Sequence, residues 1–384
     1  MRTWPVFAAL LAVAAAATVA RGGHELPVYP SYYPHEIEIR IATPEQAAGL
    51  LLQGGMQAYI GGEPRFPEPL PDWMRTVQSL GATVSVRINP ASSLIHDEAA
   101  ACAVARTVLR DVAGRGGDFT FHPYPVTPFH GDYLDHVDLA DAAKARILGA
   151  TAEAPQSFPR ALKVAAETGP AKRLVRPEWY AQGTDWDAVI EETDAADLVA
   201  FSLVTLNGWM GPPWVRAGWF SAHLLLADPS ANSADAARAQ TYFQRLETGD
   251  YADAVERINL ERDLVTALTS SCRKVVAGYT VKREYYNAEF SAGIENIASD
   301  ALTGLHSPMF IRTVKLKDFP WNGWLKLGID ATPAAAWNPI GGMNDQFGRL
   351  MWFALGDPAL LPSPYEAGFM LNRIADVRQN EGRR

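Results

Sequence analysis

The sequence predicts an α/β fold with two lobes, in which an N-terminal parallel sheet with crossover helices is followed by a helix-rich second half. Three observations support this prediction. Strand-like and helix-like segments alternate three times before residue 113, which is typical of parallel strands joined by crossover helices. The 384 residues are too many for one small core and suit two domains. The region 234–276 has a strongly helical pattern that is rich in charged residues.

The first twenty residues are typical of a signal peptide. Arg2 precedes an apolar run, Val6 to Val19, that is too short to span a bilayer. Small residues then lead to Ala20, so we expect cleavage near Ala20 and a periplasmic or secreted protein; an uncleaved anchor is the alternative. The predicted organisation is therefore a signal peptide at 1–20, an N-terminal α/β domain at 21–150 and a second α/β domain at 151–384.

In the N-terminal domain, Ile37 to Ala42 alternates apolar and polar residues and predicts a strand. Thr43 can cap a helix that ends before Gly54. The further predicted strands are 57–60 and 83–88, and the further predicted helices are 72–80, 99–112 and 139–148.

The second domain is predicted in the same way from periodicity and end signals. The predicted helices are 161–167, 185–193, 219–226, 234–276 with a break near Gly249, 285–302 and 344–355. The predicted strands are 198–206, 309–316 and 324–329.

Charge and motifs exclude or disfavour several functions. The net charge is −9 and no strongly basic stretch stands out, so we expect no nucleic acid partner, since a phosphate backbone needs a basic surface. The sequence lacks a G-x-S-x-G nucleophile motif, a Walker loop and a G-x-G-x-x-G dinucleotide turn. These absences disfavour the common enzyme families and favour a protein without catalytic activity.

The segment 119–138 carries three of the eight histidines in a proline-stiffened loop. His122, His130, Asp132 and His136 offer nitrogen and oxygen donors that suit Zn or Cu. Their spacing matches no ligand motif, so the alternative is that these histidines form hydrogen bonds within an ordered loop.

A ligand crevice is expected where parallel strands end, because ligands of open α/β sheets bind beyond the carboxyl ends of the strands. Those ends include Thr43, Arg65 and Ser92. Arg65 or Arg87 could pair with an anion. Trp209 lies in a turn with three tryptophans, 207–219, and could stack on a ligand or anchor an interface.

The stretch from Glu36 to Gly62 resembles the opening of periplasmic solute-binding proteins of the phosphate or phosphonate type. It has a strand ending in Ala-Thr, an amphipathic helix and then Gln-Ala-Tyr-Ile-Gly-Gly from Gln57. The resemblance implies an oxyanion ligand held near Thr43, Tyr59 and the first turn after Asn89.

The chain has two cysteines, Cys102 and Cys272. Export permits a disulfide between them, and two separate buried thiols are the alternative. No CxxC or CxxCH motif is present, which disfavours a cysteine zinc site and excludes covalently attached haem.

Three functional hypotheses follow. The first is an exported ligand-binding or accessory protein without catalysis, with a small-molecule or anionic ligand and a membrane complex as a possible partner. The second is a periplasmic metal-binding protein or metalloenzyme that uses the histidine loop. The third is a scaffold subunit of an exported complex.

Overall fold

The computed structural model describes residues 34–66, 69–149, 157–201, 213–230, 233–318, 323–333, 345–355, 360–364, 366 and 368–371. The predicted signal peptide, its cleavage position and Trp209 lie outside these residues. Within the described part of the chain, no helix combines the length and the hydrophobicity that crossing a membrane requires.

Strands and short helices alternate along the described chain. The strands are Glu36–Ile41 (β1), Ala58–Ile60 (β2), Met74–Ile88 (β3), Phe119–Phe121 (β4), Val164–Ala166 (β5), Ala188–Asp194 (β6), Lys274–Asn287 (β7), Ile294–Glu295 (β8), Lys315–Leu316 (β9), Trp324–Ile329 (β10), Leu360–Pro362 (β11) and Phe369–Leu371 (β12). The helices are Pro44–Leu52 (α1), Glu98–Ala113 (α2), Val137–Leu148 (α3), Gly169–Leu174 (α4), Ala195–Phe201 (α5), Gly218–Leu226 (α6), Ala234–Thr248 (α7), Ala254–Leu268 (α8), Pro308–Thr313 (α9) and Gln346–Leu355 (α10).

Within the described residues, one eight-stranded sheet has the order β1-β10-β2-β7-β3-β6-β5, with β4 paired to β7. The predicted α/β class is confirmed. The sheet is mixed rather than wholly parallel. β10 pairs in parallel with β1 and β2, whereas β7 runs antiparallel to β2 and β3, and β6 runs antiparallel to β3. The parallel partner of β1 and β2 therefore comes from near the end of the chain.

The paired strands β3 and β7 connect two lobes. At one end of this pair, β1, β10 and β2 pack around a core that includes Val77 and Leu327. At the other end, β5, β6 and α2 pack around a core that includes Val86 and Val108. We call these the first and the second lobe. The structure thus has the two lobes that the sequence predicts.

The strand pairing that connects the lobes is irregular near Gly81. The pairing of β3 with β7 changes register between Leu80 and Thr83, and the backbone N–H of Ala82 donates to the Thr280 hydroxyl at 2.9 Å. A Cβ atom at Gly81 would lie 2.7 Å from the same hydroxyl oxygen. Such irregularities bend a strand pair and increase its twist, so we expect this stretch to influence the angle between the lobes.

The sheet continues across the division that we predicted near residue 150. β6, β7 and β10 follow that residue and pair with strands that precede it. The division into domains 21–150 and 151–384 stays a prediction, with the qualification that backbone hydrogen bonds join the two parts.

Several predicted elements are wrong. Residues 72–80, which we expected as a helix, belong to the fifteen-residue strand β3. The helices expected at 161–167, 185–193 and 285–302 are replaced by β5, β6 and the end of β7 with β8. The strands expected at 198–206 and 309–316 begin in α5 and α9. In each case the residues lie beside distant strands or helices whose packing overrides the local pattern.

The two cysteines form a disulfide. Cys102 on α2 and Cys272, just before β7, are joined across 170 residues of sequence. This bond fixes α2 to the start of the longest strand pair in the second lobe.

Candidate functional site at the cleft between the lobes

The carboxyl ends of β1, β10 and β2 meet at one edge of the first lobe. The register aligns Ile41 with Ile329 and Ile329 with Ile60. The next residues are Ala42, Asp330 and Gly61, so three turns leave the sheet side by side toward the second lobe. This is the position at which open parallel sheets bind ligands.

Thr43 and Tyr59 lie at this edge, as the sequence predicted for a ligand site, but both have structural contacts. The Thr43 hydroxyl accepts the N–H of Gln46 at 3.3 Å and caps α1. The Tyr59 hydroxyl is buried and donates to the carbonyl of Ala42 at 2.8 Å. Burial, with smaller effects from Asp330 and Glu45, raises the pKa of Tyr59 to about 12. Both side chains therefore stabilise the backbone at this edge of the sheet.

Gly61 has no space for a side chain. Its φ is +92°, and a Cβ atom would lie 2.6 Å from the Phe347 ring and 3.1 Å from Oδ1 of Asp330. Its N–H donates to Oε1 of Glu284 at 2.7 Å. The backbone conformation and the lack of space together require glycine at this position.

Glu284 is a fully buried carboxylate on β7 that joins two turns. It accepts hydrogen bonds from the N–H of Gly61 at 2.7 Å and from the N–H of Leu305 at 2.5 Å. The ammonium of Lys282 lies 3.6 Å from its Oε1. Glu284 thereby fixes the Gly61 turn against the segment that precedes α9.

Two further carboxylates reach the cleft from opposite lobes. Asp330 follows β10 in the first lobe, and Asp194 ends β6, which runs from the second lobe toward the first. Partial burial raises the pKa of Asp330; Lys282 opposes this increase and Asp194 adds to it. Of the four charged groups described at this edge, three are carboxylates, Glu284, Asp330 and Asp194, and one, Lys282, is a cation.

The remaining predicted ligand residues do not join this edge. Arg65 is largely exposed, and its guanidinium lies 3.5 Å from Glu45. Arg87 lies in the second lobe, where it pairs with Glu191 at 2.5 Å and stacks on Trp186 at 5.1 Å. Tyr59 is level with Thr76 through Tyr285, so Arg87, eleven residues further along β3, lies roughly 35 Å away at about 3.3 Å per residue. One small ligand cannot contact both arginines.

Ser92 has a structural role at the far end of the second lobe. Its hydroxyl donates to the buried carboxylate of Asp187 at 2.5 Å. Arg160 binds the same carboxylate with two hydrogen bonds of 2.7 and 2.8 Å, and the N–H of Lys163 donates to it at 2.8 Å. Burial acts to raise the pKa of Asp187, but these hydrogen bonds outweigh it and the pKa is lowered.

The histidine loop is ordered by separate hydrogen bonds. His122 contacts the carbonyl of Val126 at 2.9 Å, and His136 contacts the Tyr124 hydroxyl at 2.9 Å. The Nδ1 atom of His130 accepts the N–H of Thr127 at 3.0 Å. The carboxylate of Asp132 accepts the first two N–H groups of α6, at 2.8 and 3.2 Å.

The structure does not assemble these four residues into a metal centre. Across the described ranges, one group of three donor residues has its ligand atoms within 4.8 Å of one another, namely Glu98, Cys102 and Cys272. Both of its sulfur atoms are used by the disulfide. The site predicted from His122, His130, Asp132 and His136 stays a prediction that needs a rearranged loop, and the structure favours the hydrogen-bonded alternative.

Glu261 on α8 lies behind the histidine loop and should make stability depend on pH. Its side chain is buried and pairs with Arg257 at 2.5 Å. Burial raises its pKa to about 7; Arg257 opposes this increase, and Asp132 and Asp135 add to it. The folded state therefore retains this proton at a higher pH than the unfolded chain, whose reference pKa is 4.5. For this group, the free energy of unfolding falls as the pH rises from about 4.5 to about 7.

The variant Glu261→Gln should remove this dependence. We expect it to gain about 2.5 kcal/mol relative to the native protein when the pH is changed from 5 to 8, because about two pH units separate pH 5 from the folded pKa of about 7 and each unit corresponds to about 1.4 kcal/mol. Urea unfolding at both pH values measures the difference. Glu247→Gln, at an exposed position on α7, is the control. A difference between Glu261→Gln and native protein that is equal at the two pH values would contradict the assignment.

Sequence reasoning missed Asp330, Asp194, Lys282 and Glu284. Asp330 follows a strand that the sequence predicted correctly, so the rule that selected Thr43 could have selected it. Lys282 and Glu284 were missed because the segments on either side of them, 234–276 and 285–302, were both expected to be helical. Asp194 was missed because β6 was expected to be a helix.

Neither a protein-family model nor a curated protein matches the chain. Among solved structures, MppA, a periplasmic murein tripeptide binding protein in an unliganded open form, is 14% identical with a TM-score of 0.39, over 71% of this chain and 55% of its own. The oligopeptide-binding protein AppA from Bacillus subtilis, in complex with a nonapeptide, is 12% identical with a TM-score of 0.36, over 72% and 56%. A nickel ABC transporter from Bacillus halodurans is 13% identical with a TM-score of 0.38, over 67% and 58%.

This chain spans a little over half the length of these three structures. The first two descriptions name the general solute-binding class that the stretch from Glu36 to Gly62 indicated, and neither names a phosphate or phosphonate. At such identities and TM-scores, the likeness assigns no ligand and no activity to this chain.

Proposed function

We propose that this chain is an exported solute-binding protein without catalytic activity, and that it holds a ligand with a cationic amine in the cleft between its lobes. The observation that supports this proposal is the position of two carboxylates at strand ends: Asp330 follows β10 in the first lobe, and Asp194 ends β6, which comes from the second. A cation between them would relieve their repulsion and join the lobes. Closure of two lobes around a ligand is a common motion of such proteins.

The acidic cleft favours an amine over the oxyanion that we expected from the sequence. Arg65 and Arg87 are paired with carboxylates and lie far apart. At the cleft itself, Lys282 contacts Glu284. An anion would have to compete with Glu284 for Lys282 while facing Asp330, which is unfavourable for a like charge.

The proposal extends to location and partner. The signal-peptide pattern at 1–20 supports delivery to the periplasm or the cell exterior. A protein that captures solutes there without transforming them needs a membrane transport complex to receive the ligand. We infer such a complex as the partner.

Thermal-shift measurements with paired probes test the ligand class. The probes are short peptides and diamines with a free amine, each matched by its N-acetylated form. We expect at least one free amine to raise the melting temperature and its acetylated form to have no effect, because binding to the folded state stabilises it by mass action. Shifts produced by phosphate, sulfate or carboxylates and by none of the amines would refute the amine proposal.

Asp330→Asn should weaken binding of the best amine by about tenfold or more, which is the typical effect of losing one charge-assisted contact. Although neighbouring groups partly bury its carboxylate, Asp330 keeps solvent exposure at the end of its strand, so the variant should fold normally. Asp185→Asn is the matched control, since Asp185 is exposed in the second lobe and pairs with Lys163. Isothermal titration calorimetry gives both affinities. If the two variants lost affinity for the amine equally, the amine would bind away from Asp330.

A further inference from the structure

The disulfide of the second lobe lies beside a carboxylate. Glu98 begins α2, and Cys102 lies four residues later, on the same face of that helix. Cys272, just before β7, is joined to Cys102. In the described part of the chain, these are the three residues whose sulfur and oxygen ligand atoms all lie within 4.8 Å of one another. The fold thus assembles a cysteine pair with a third donor, although the sequence has no CxxC motif.

Hydrogen bonds hold Glu98 in front of Cys272. Its Oε1 atom accepts the N–H of Cys272 at 2.7 Å and the Ser271 hydroxyl at 3.3 Å. Both contacts use the same carboxylate oxygen, and a carboxylate accepts through two oxygens. The second oxygen can therefore bind a cation while the first keeps the side chain in position.

Small molecules and ions can reach these residues from solvent. Glu98 is exposed, and the two cysteines are partly exposed. Both cysteines also line a cavity of about 640 Å³, a volume that admits small molecules. Exposed disulfides are more readily reduced than buried ones. A small reductant can therefore reach the bond without unfolding of the lobe.

The three donors suit zinc once the disulfide is reduced. Tetrahedral zinc binds thiolates at about 2.3 Å and carboxylate oxygens at about 2.0–2.2 Å, which places two sulfur ligands about 3.8 Å apart and sulfur and oxygen about 3.5 Å apart. From within 4.8 Å, the oxygen needs to approach by roughly 1 Å. The sulfur atoms separate by rotation of their side chains. Three protein ligands with water as the fourth is a common zinc coordination.

We propose that Glu98, Cys102 and Cys272 form a redox-gated zinc site, and that a dithiol opens it. One thiolate of the dithiol attacks a cysteine sulfur, the S–S bond breaks, and the other cysteine leaves as a thiolate. The second thiol of the reductant then displaces the first cysteine, so the dithiol becomes a disulfide and its two protons pass to the cysteines.

Zinc then binds both sulfur atoms and the carboxylate of Glu98, and the two thiol protons are released. The metal joins α2 to the segment before β7, as the disulfide does in the oxidised protein. The oxidised protein has no thiolate and does not bind zinc at this position. The site is independent of the cleft and of the amine ligand proposed there.

Zinc titrations of the whole chain before and after reduction test the proposal. A trialkylphosphine is the reductant, because it converts the disulfide to two thiols, takes oxygen from water to become the phosphine oxide and adds no competing thiolate. We expect the reduced protein to bind one zinc ion about a hundredfold or more tightly than the oxidised protein. Competition with a chromophoric chelator measures both affinities. Equal affinities of the two forms would refute the proposal.

Three variants locate the zinc ion. Cys102→Ser lacks the disulfide, as the reduced protein does, but keeps one thiol, so it should bind zinc about a hundredfold less tightly than the reduced native protein. Glu98→Gln retains an oxygen for the N–H of Cys272 and should weaken zinc binding of the reduced protein about tenfold. Glu178→Gln, at an exposed position elsewhere in the second lobe, is the control. Native affinity in either of the first two variants would contradict the assigned ligands.

Melting temperatures separate metal binding from the loss of stability that reduction itself causes. Zinc should raise the melting temperature of the reduced native protein, because a ligand of the folded state stabilises it by mass action. It should leave Cys102→Ser nearly unchanged, although that variant also lacks the cross-link. No rise in the reduced native protein, or a rise of equal size in Cys102→Ser, would overturn the site.

Discussion

Replacing both Cys102 and Cys272 by serine should lower the free energy of unfolding by about 5 kcal/mol. The disulfide closes a loop of 170 residues, and the chain-entropy relation for a loop of this length gives about that value. The typical free energy of unfolding of a protein is only about 5–15 kcal/mol. Loss of this one bond would therefore remove a large part of the stability of the second lobe.

Single and double variants separate the cross-link from local packing. Cys102→Ser, Cys272→Ser and the double variant all lack the bond, so all three should lose nearly the same free energy in urea titrations. Fluorescence and circular dichroism, followed together, establish whether the lobes unfold as one unit. Two outcomes would show that the cross-link is not the cause. In one, the stability losses of the two single variants sum in the double variant. In the other, the double variant loses less than about 1 kcal/mol.

The first lobe shows what the sequence could predict about the fold. The alternating residues of 37–42 and 324–329 identify β1 and β10, because a half-buried strand has a two-residue period. Their parallel pairing was not predictable, since nearly 290 positions separate the paired residues Glu36 and Trp324 and periodicity contains no information on partners. The sequence therefore predicted a parallel sheet within the N-terminal part, whereas the structure has a mixed sheet with strands from most of the described chain.

The failures at β3 and β7 have a common cause. Asp72 and Gly81 gave 72–80 the start and stop signals of a helix, although Thr76 and Val77 are β-branched. The residues between them pair with β7 over their length, and β7 was itself expected to be helical on both sides of residue 280. The two strands stabilise each other by pairing. When one of them is predicted to be a helix, the other has no predicted partner and is missed as well.

The same dependence limited the prediction of the site. Thr43 and Gly61 were correctly placed at strand ends, because those strands and their turns are local. The positions of Asp330 and Asp194 are related only through β10, β6 and the irregular connection between the lobes. A sequence indicates where strands end but not how far apart those ends lie. The predicted anion site therefore combined residues from opposite ends of the sheet.

Glu284 links the fold of the first lobe to the proposed cleft, and Glu284→Ala should lower the free energy of unfolding by about 3–5 kcal/mol. The alanine would leave the N–H groups of Gly61 and Leu305 without the carboxylate that each contacts, and Lys282 without its ion partner. Removal of one member of a buried ion pair typically costs this much, because the other charge remains buried. Glu63→Ala is the control, since the half-exposed pair of Glu63 with Arg283 at 3.7 Å should contribute less than about 1 kcal/mol.

Glu284→Gln distinguishes the charge from the shape of the side chain. Glutamine fills the same volume and can accept one of the two N–H groups, but its own NH₂ would face the other and it cannot balance Lys282. We therefore expect a loss between those of the control and of Glu284→Ala in the same urea titrations. If Glu284→Gln matches native protein, the carboxylate charge is not needed at the cleft. Lys282 would then be matched by Asp330 instead, which would remove the excess negative charge from which the amine ligand is inferred.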